Sequence, residues 1–248
     1  LFRSRLSDRG VPVNHTLGFS ARQNVVIARL GRPAYVNVFM GRLNSYIADN
    51  GLGDGAYVGE LATYASQQAL RALHADGLPR VRQIGASLRS GAQVRDLAGL
   101  DVFTMPPKAA EQFLALGVDP QALAPAAGGW TPGVDAAAGE TGVATLWDVP
   151  PRVHAAIAAA EQAGLATLTP DALLDIFARE GCADLLVRWT PAEIATSAAE
   201  GKIPKYANWK DALASGRVGL DALLNLAGLN AFIADQRAMD DRITRQLG

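Results

Sequence analysis

Short apolar runs alternate with longer segments of helical character over the first 116 residues of the chain. Each short run predicts a buried β-strand, and the runs cover residues 11–17, 34–39, 81–86 and 101–105. Periodicity and end signals predict helices over residues 21–30, 59–76 and 93–98, and Pro107 opens a further helix. Strands that alternate with helices form parallel βαβ units, so the pattern predicts an α/β fold.

The segments between these strands carry finer signals. Residues 1–10 resemble the tail of a helix that ends at Gly10, and Ser20 is a suitable N-cap for the helix that follows. Residues 43–57 are rich in glycine and are predicted to be a loop. The helix over 59–76 is predicted to bury one face, which comprises Leu61, Tyr64, Ala65, Gln68, Ala69, Ala72 and Leu73.

The chain changes character after residue 116. Residues 1–116 are predicted to be a partial (β/α) barrel, and residues 117–152, rich in Pro, Gly and Ala, to be a linker-like connection. Residues 153–248 are predicted to be a helical C-terminal region. Its helices have clear end signals: Thr169-Pro170 before Gly181, the capping-box spacing of Thr190 and Glu193 before Gly201, and a long amphipathic stretch over 220–247.

Composition narrows the class of protein. The 248 residues are 49% hydrophobic and 19% charged, with a formal net charge of -1, which is typical of a water-soluble globular protein. The balanced charge argues against general binding of nucleic acid or of a membrane surface, and no apolar run reaches the length of a membrane span. The single cysteine, Cys182, excludes an internal disulfide framework and is interpreted as a structural thiol. We expect a cytoplasmic protein.

Polar side chains stand where three of the predicted strands end. Asn14 and Thr16 lie near the end of the first strand, Arg42 follows the second, and Ser87 and Arg89 follow the third. The carboxyl ends of barrel strands share one face, which is where such barrels place their active sites. Two guanidinium groups at neighbouring strand ends suit a dianion such as phosphate. Strand alternation points His15 away from that face, so we interpret it as a packed or solvated side chain.

Three motifs in this order resemble the second half of the transaldolase family: Asn-His-Thr-Leu-Gly-Phe-Ser over 14–20, Phe-Met-Gly-Arg over 39–42 and Gly-Ala-Ser-Leu-Arg over 85–89. The resemblance covers residues 10–116, with a weaker match over 232–236, whereas residues 117–219 have no counterpart and look like an insertion. It implies the C-terminal half of a (β/α)8 barrel. It also implies transfer of a dihydroxyacetone unit between sugar phosphates of the pentose phosphate pathway, with no cofactor and no metal. The oligomeric state stays open, with a homo-oligomer among the states that the sequence allows.

The resemblance also assigns roles to residues. Thr16 matches the threonine that positions a catalytic water, and the family's substrate-binding positions correspond to Asn14, Asn37, Phe39, Arg42, Ser87 and Arg89. The Schiff-base lysine of the family lies before the Asn-x-Thr strand, and none of Lys108, Lys202, Lys205 and Lys210 has that context. We therefore expect the lysine to lie upstream of Leu1 and the chain as given to be N-terminally truncated and inactive by itself.

The match departs from the family at Asn37-Val38, where the family usually has Ser-Pro, and at Gly18, which replaces a bulky apolar residue. These changes leave two alternatives open: a related aldolase that cleaves a ketose phosphate, and a non-catalytic anion-binding or interaction protein. The glycine-rich stretch over 51–55 lacks the strand and spacing of a phosphate-binding loop. The three histidines lack metal-ligand spacing.

Overall fold

The computed structural model describes residues 6, 8–135 and 142–247 of the chain. The predicted helical tail over 1–10 lies largely outside them. The described part contains a four-stranded sheet in the order β1-β2-β3-β4, in which every pair of neighbours is parallel. The strands are β1 (Asn14–His15), β2 (Tyr35–Phe39), β3 (Arg82–Ala86) and β4 (Val102–Phe103). The predicted strands and their parallel order are confirmed, and the arrangement is a partial (β/α) barrel.

Helices connect the strands and then continue alone towards the C-terminus. In the described residues they are α1 (Ala21–Gly31), α2 (Met40–Asp49), α3 (Val58–Ala75), α4 (Gly91–Asp96), α5 (Pro107–Ala115), a 3-10 turn (Val143–Leu146), α6 (Pro151–Gln162), α7 (Pro170–Arg179), α8 (Pro191–Glu200), α9 (Tyr206–Ala214) and α10 (Leu220–Leu247). The predicted caps hold, since Ser20, Thr169 and Thr190 each accept a hydrogen bond from the first turn of their helix. Among these helices, none combines the length and the apolar character that crossing a membrane requires.

The prediction of a loop over residues 43–57 is wrong in its first half, because α2 begins directly after β2. The buried residues Met40, Leu43, Tyr46 and Ile47 recur with helical spacing, and the glycines that suggested a loop begin only at Gly51. The glycine-rich stretch has a packing role instead. Its backbone exchanges hydrogen bonds with the later segment around Gly133, which passes too close for a side chain at Gly53.

The predicted buried face of α3 is also wrong, because the helix turns a partly polar face inward. Gln68 and Ala72 are exposed, whereas Glu60, Thr63, Ser66 and Gln67 are buried. Hydrophobic periodicity cannot find this face, since polar side chains are buried where they have hydrogen-bond partners. Ser66, for example, donates to Gln83 Oε1 of β3 at 2.6 Å.

Two clusters of buried apolar side chains form the core, and both include residues from the C-terminal helices. A buried ion-pair network joins the same regions. Arg22 of α1 is fully buried and donates to Asp221 at 2.8 and 2.7 Å and to Asp184 at 2.6 Å. Ser20 donates to Asp221 at 2.6 Å. Burial disfavours the charged guanidinium, but the two carboxylates outweigh that effect and raise the pKa of Arg22.

Candidate functional site at the strand ends

The end of β1 is held in an unusual conformation. Leu17 adopts a φ of 65°, which is rare for a leucine, and its carbonyl accepts a hydrogen bond from the Asn225 side chain of α10. Gly18 follows, and its own carbonyl accepts from Phe39 N at 3.0 Å. A side chain at Gly18 would overlap the carbonyl oxygen of Asn37. The glycine is therefore required by the close approach of the two backbone segments.

Two asparagines at neighbouring strands face each other across the first strand pair. Asn37 Nδ2 donates to Asn14 Oδ1 at 3.1 Å, whereas the buried Asn37 Oδ1 has no partner among the described residues. Thr16 lies one residue past the end of β1 and is exposed. His15 lies on the opposite face of β1 from Asn14, where it lines a cavity of about 190 Å³ beside α1 and α10, as alternation predicts.

Arg42 belongs to a second group of predicted site residues, which lie at the ends of β2 and β3. Its guanidinium carbon lies 5.2 Å from the centre of the Phe39 ring and 5.9 Å from that of Phe232 on α10. Aromatic faces attract cations, so the two rings hold this side chain in place. The Nη1 atom of Arg42 is buried and has no hydrogen-bond partner in the part of the chain that the structure describes. A buried donor without a partner is costly, so an acceptor atom from a ligand or a water molecule would stabilise it.

The electrostatic surroundings of Arg42 also favour an anionic ligand. Burial lowers the pKa of Arg42, and repulsion from Arg89 lowers it further, while Asp235 opposes both effects. Arg89 is exposed. Two guanidiniums that repel each other, one with an unused donor, provide the donors and the positive charge that a phosphate group needs.

Ser87 and Gly41 bring the two arginine segments into contact. Ser87 has a φ of 63°, in the left-handed region that favours glycine. A side chain on Gly41 would overlap the Ser87 carbonyl and would lie 2.9 Å from Arg89 Nε and 3.0 Å from Ser87 Oγ. The backbone of α2 therefore lies directly against the loop that carries Ser87 and Arg89, and strain of this kind often marks functional sites.

We expect Gly41→Ala to destabilise the protein by about 1–3 kcal/mol, because the added methyl group must push α2 and the loop that carries Ser87 and Arg89 apart. Gly31→Ala is the matched control. It also lies in a helix, but a side chain there would meet its nearest atom at 3.9 Å. It should stabilise the protein by up to about 1 kcal/mol through helix propensity. Urea unfolding of both variants measures the difference, and equal effects would contradict the packing argument.

The structure thus brings together two subsets of the predicted residues: Asn14 with Asn37, and Phe39 with Arg42, Ser87 and Arg89. Sequence analysis missed Asn225 and Gly228 of α10, which pack on the site. A side chain at Gly228 would lie 2.9 Å from Leu17 Cδ2 and 3.3 Å from Arg42 Nη1. A glycine inside a strong helical pattern is the signal that could have found this contact, since glycine weakens a helix unless close packing requires it. Among the described residues, no cluster of three His, Cys, Asp or Glu side chains could hold a metal ion.

Comparisons with known proteins point to one family. The model of the transaldolase/fructose-6-phosphate aldolase family matches residues 3–144. Probable transaldolases from two strains of Thermus thermophilus are each 36% identical over 112 residues, and the match covers 44% of this chain. The chain spans 44% of the length of these curated relatives.

Proposed function

Since the chain belongs to the transaldolase/fructose-6-phosphate aldolase family, we propose that it forms part of an aldolase-type enzyme whose strand ends bind a sugar phosphate. The observation that carries this proposal is the pair Arg42 and Arg89, with the buried Arg42 Nη1 lacking a partner in the described structure. A phosphate group supplies acceptor oxygens and negative charge to both guanidiniums. Ser87, two residues before Arg89, would add a hydroxyl donor.

The proposed reaction transfers a dihydroxyacetone unit from a ketose phosphate to an aldose acceptor through a lysine Schiff base. Breaking the C3–C4 bond leaves a carbanion that the protonated imine stabilises, and the acceptor aldehyde then takes up the three-carbon unit. Asn37 Oδ1, buried and without a partner in the described residues, would accept from a substrate hydroxyl beside Asn14. Thr16 would hold the water that relays the proton.

The nucleophilic lysine in this proposal lies outside the 248 residues. A Schiff-base lysine needs a desolvated pocket so that its amine is free near neutral pH. Lys108, Lys202, Lys205 and Lys210 are all exposed, and Lys202 lies within 3.8 Å of Asp235. We therefore propose that this chain alone does not form the imine.

Borohydride trapping with fructose 6-phosphate tests the proposal by intact mass. We expect no covalent three-carbon adduct on this chain, and an adduct on a different lysine in a longer protein that contains this sequence. Measuring the aldehyde product with and without an added aldose separates the two enzymatic alternatives, because transfer requires an acceptor aldose and simple cleavage does not. An adduct on any of the four lysines would contradict the proposed assignment, and the absence of any adduct in the longer protein would favour a non-catalytic anion-binding role.

A further inference from the structure

We propose that Glu60 is a positioning residue of the anion site, which fixes the separation of Arg42 and Arg89 through the amide side chains of Asn44 and Gln93. The inference rests on the proposed function, in which both arginines bind one phosphate group. Glu60 lies on α3, is 3% exposed, and belongs to the polar face that hydrophobic periodicity missed.

The contacts of Glu60 reach both arginine segments. Its Oε2 accepts from Asn44 Nδ2 at 3.1 Å, and Asn44 lies on α2, two residues after Arg42. Its Oε1 accepts from Gln93 Nε2 at 2.8 Å. Gln93 Oε1 in turn accepts from the backbone N–H of Arg89 at 2.7 Å. One buried side chain thus connects the helix that carries Arg42 with the loop that carries Arg89.

The hydrogen-bond directions require a carboxylate at this position. Asn44 Oδ1 accepts from Gly59 N at 2.6 Å, and Gln93 Oε1 is occupied by Arg89 N, so neither amide can turn over without losing a backbone partner. Both amides therefore present their NH2 groups to Glu60. Only a carboxylate offers acceptors on both oxygens, whereas an amide at position 60 would point its own NH2 group at the NH2 group of Asn44 or Gln93.

The network has a consequence for ligand binding. Arg42 and Arg89 repel each other in the absence of an anion, so their separation depends on the elements that carry them. Bonds from two guanidiniums to one phosphate are sensitive to displacements of about 1 Å. A side chain that fixes both elements therefore affects affinity without touching the ligand.

Calorimetric titration of the full chain with inorganic phosphate tests the proposal. We expect Glu60→Gln to weaken phosphate binding about tenfold, because the reversed donor displaces one amide and its arginine segment. Glu161→Gln is the matched control. It makes the same chemical change in the partly exposed pair with Arg29, where both side chains are 32% exposed, and should leave phosphate binding unchanged.

The double variant E60Q/Q93E supplies a rescue. The new amide at position 60 would keep its oxygen towards Asn44 and turn its NH2 towards the new carboxylate at position 93, which still accepts from Arg89 N. We expect phosphate affinity to return to within about threefold of the wild type, although Gln93→Glu alone places two carboxylates together and should weaken binding. Recovery would show that affinity depends on the pairing of donors and acceptors between positions 60 and 93, and not on a negative charge at position 60 itself.

Several outcomes would overturn the proposal. The proposal is wrong if Glu60→Gln folds and binds phosphate like the wild type, or if E60Q/Q93E folds and binds as weakly as the single variant. If both fail to fold, Gln93→Met decides. It removes the bonds of Gln93 to Glu60 and to Arg89 N but keeps the bond of Glu60 to Asn44, and unchanged affinity in that variant also overturns the proposal. Unchanged affinity in both Arg42→Ala and Arg89→Ala would instead show that the anion site itself is wrong.

Discussion

Replacing Arg22 by methionine is expected to lower the free energy of unfolding by about 3–5 kcal/mol, which is the usual cost of breaking a buried ion pair from one side. Methionine fills much of the same volume but leaves Asp221 and Asp184 without their cation. Asp221 is fully buried, and Asp184 is 8% exposed, so water cannot replace the lost hydrogen bonds. Chemical denaturation of the full chain, monitored by circular dichroism, measures the change.

Arg29→Met is the control for this variant. Arg29 lies on the same helix and binds Glu161 at 2.6 Å, but both side chains of that pair are 32% exposed. Exposed pairs contribute about 0.2–1 kcal/mol, so the control should remain close to the wild type. A loss of less than about 1 kcal/mol in Arg22→Met would mean that the two carboxylates find other partners, and the network would not be what holds α1 to the C-terminal helices.

Replacing Arg42 by alanine is expected to weaken binding of phosphorylated ligands by about 10-fold to 100-fold, which corresponds to a charge-assisted hydrogen bond of about 1.5–3 kcal/mol. The substitution removes the buried Nη1 donor and one of the two positive charges. Arg89→Ala should weaken binding by roughly 10-fold in the same assay, and in an active longer protein it should raise KM for the phosphorylated substrate. Calorimetry with fructose 6-phosphate and with fructose measures the contribution of the phosphate group.

Arg95→Ala separates a specific clamp from general electrostatics. Arg95 lies in α4, close in sequence to Arg89, and binds its neighbour Asp96 at 2.7 Å. Its removal changes the net charge by the same amount and should leave the preference for the phosphorylated sugar intact. If Arg42→Ala and Arg89→Ala also kept that preference, the two arginines would not form a phosphate site.

The sequence predicts the frame of the barrel well because the signals for that frame are local. The strand β2 is a run of apolar residues interrupted only by Asn37. Ser20 and Thr190 are residue types that favour the N-cap position, and both cap their helices in the structure. Parallel order follows from strands that alternate with helices. The same locality explains the error at α2, where the predicted loop extended backwards from Gly51 over residues that are helical.

The candidate site could be predicted only in part. The motifs placed Arg42 and Arg89 after successive strands, and parallel strands bring such positions to one edge of the sheet. They could not show that Phe232 and Gly228 of α10 pack on Arg42, because a contact between residues so far apart leaves no local periodicity. Nor could the motifs show that the close approach of the Asn37 carbonyl oxygen requires a glycine at position 18.

The sequence by itself determined the α/β class, the order of the strands, the ends of most helices and the residues that the family motifs mark. Only the tertiary structure decided which polar side chains are buried and what they bind. Arg22 and Arg29 lie on the same helix, yet Arg22 is buried between two aspartates whereas Arg29 is partly exposed to solvent. The physical reason is that secondary structure follows from neighbouring residues, whereas a buried charge is stable only if partners from distant segments meet it.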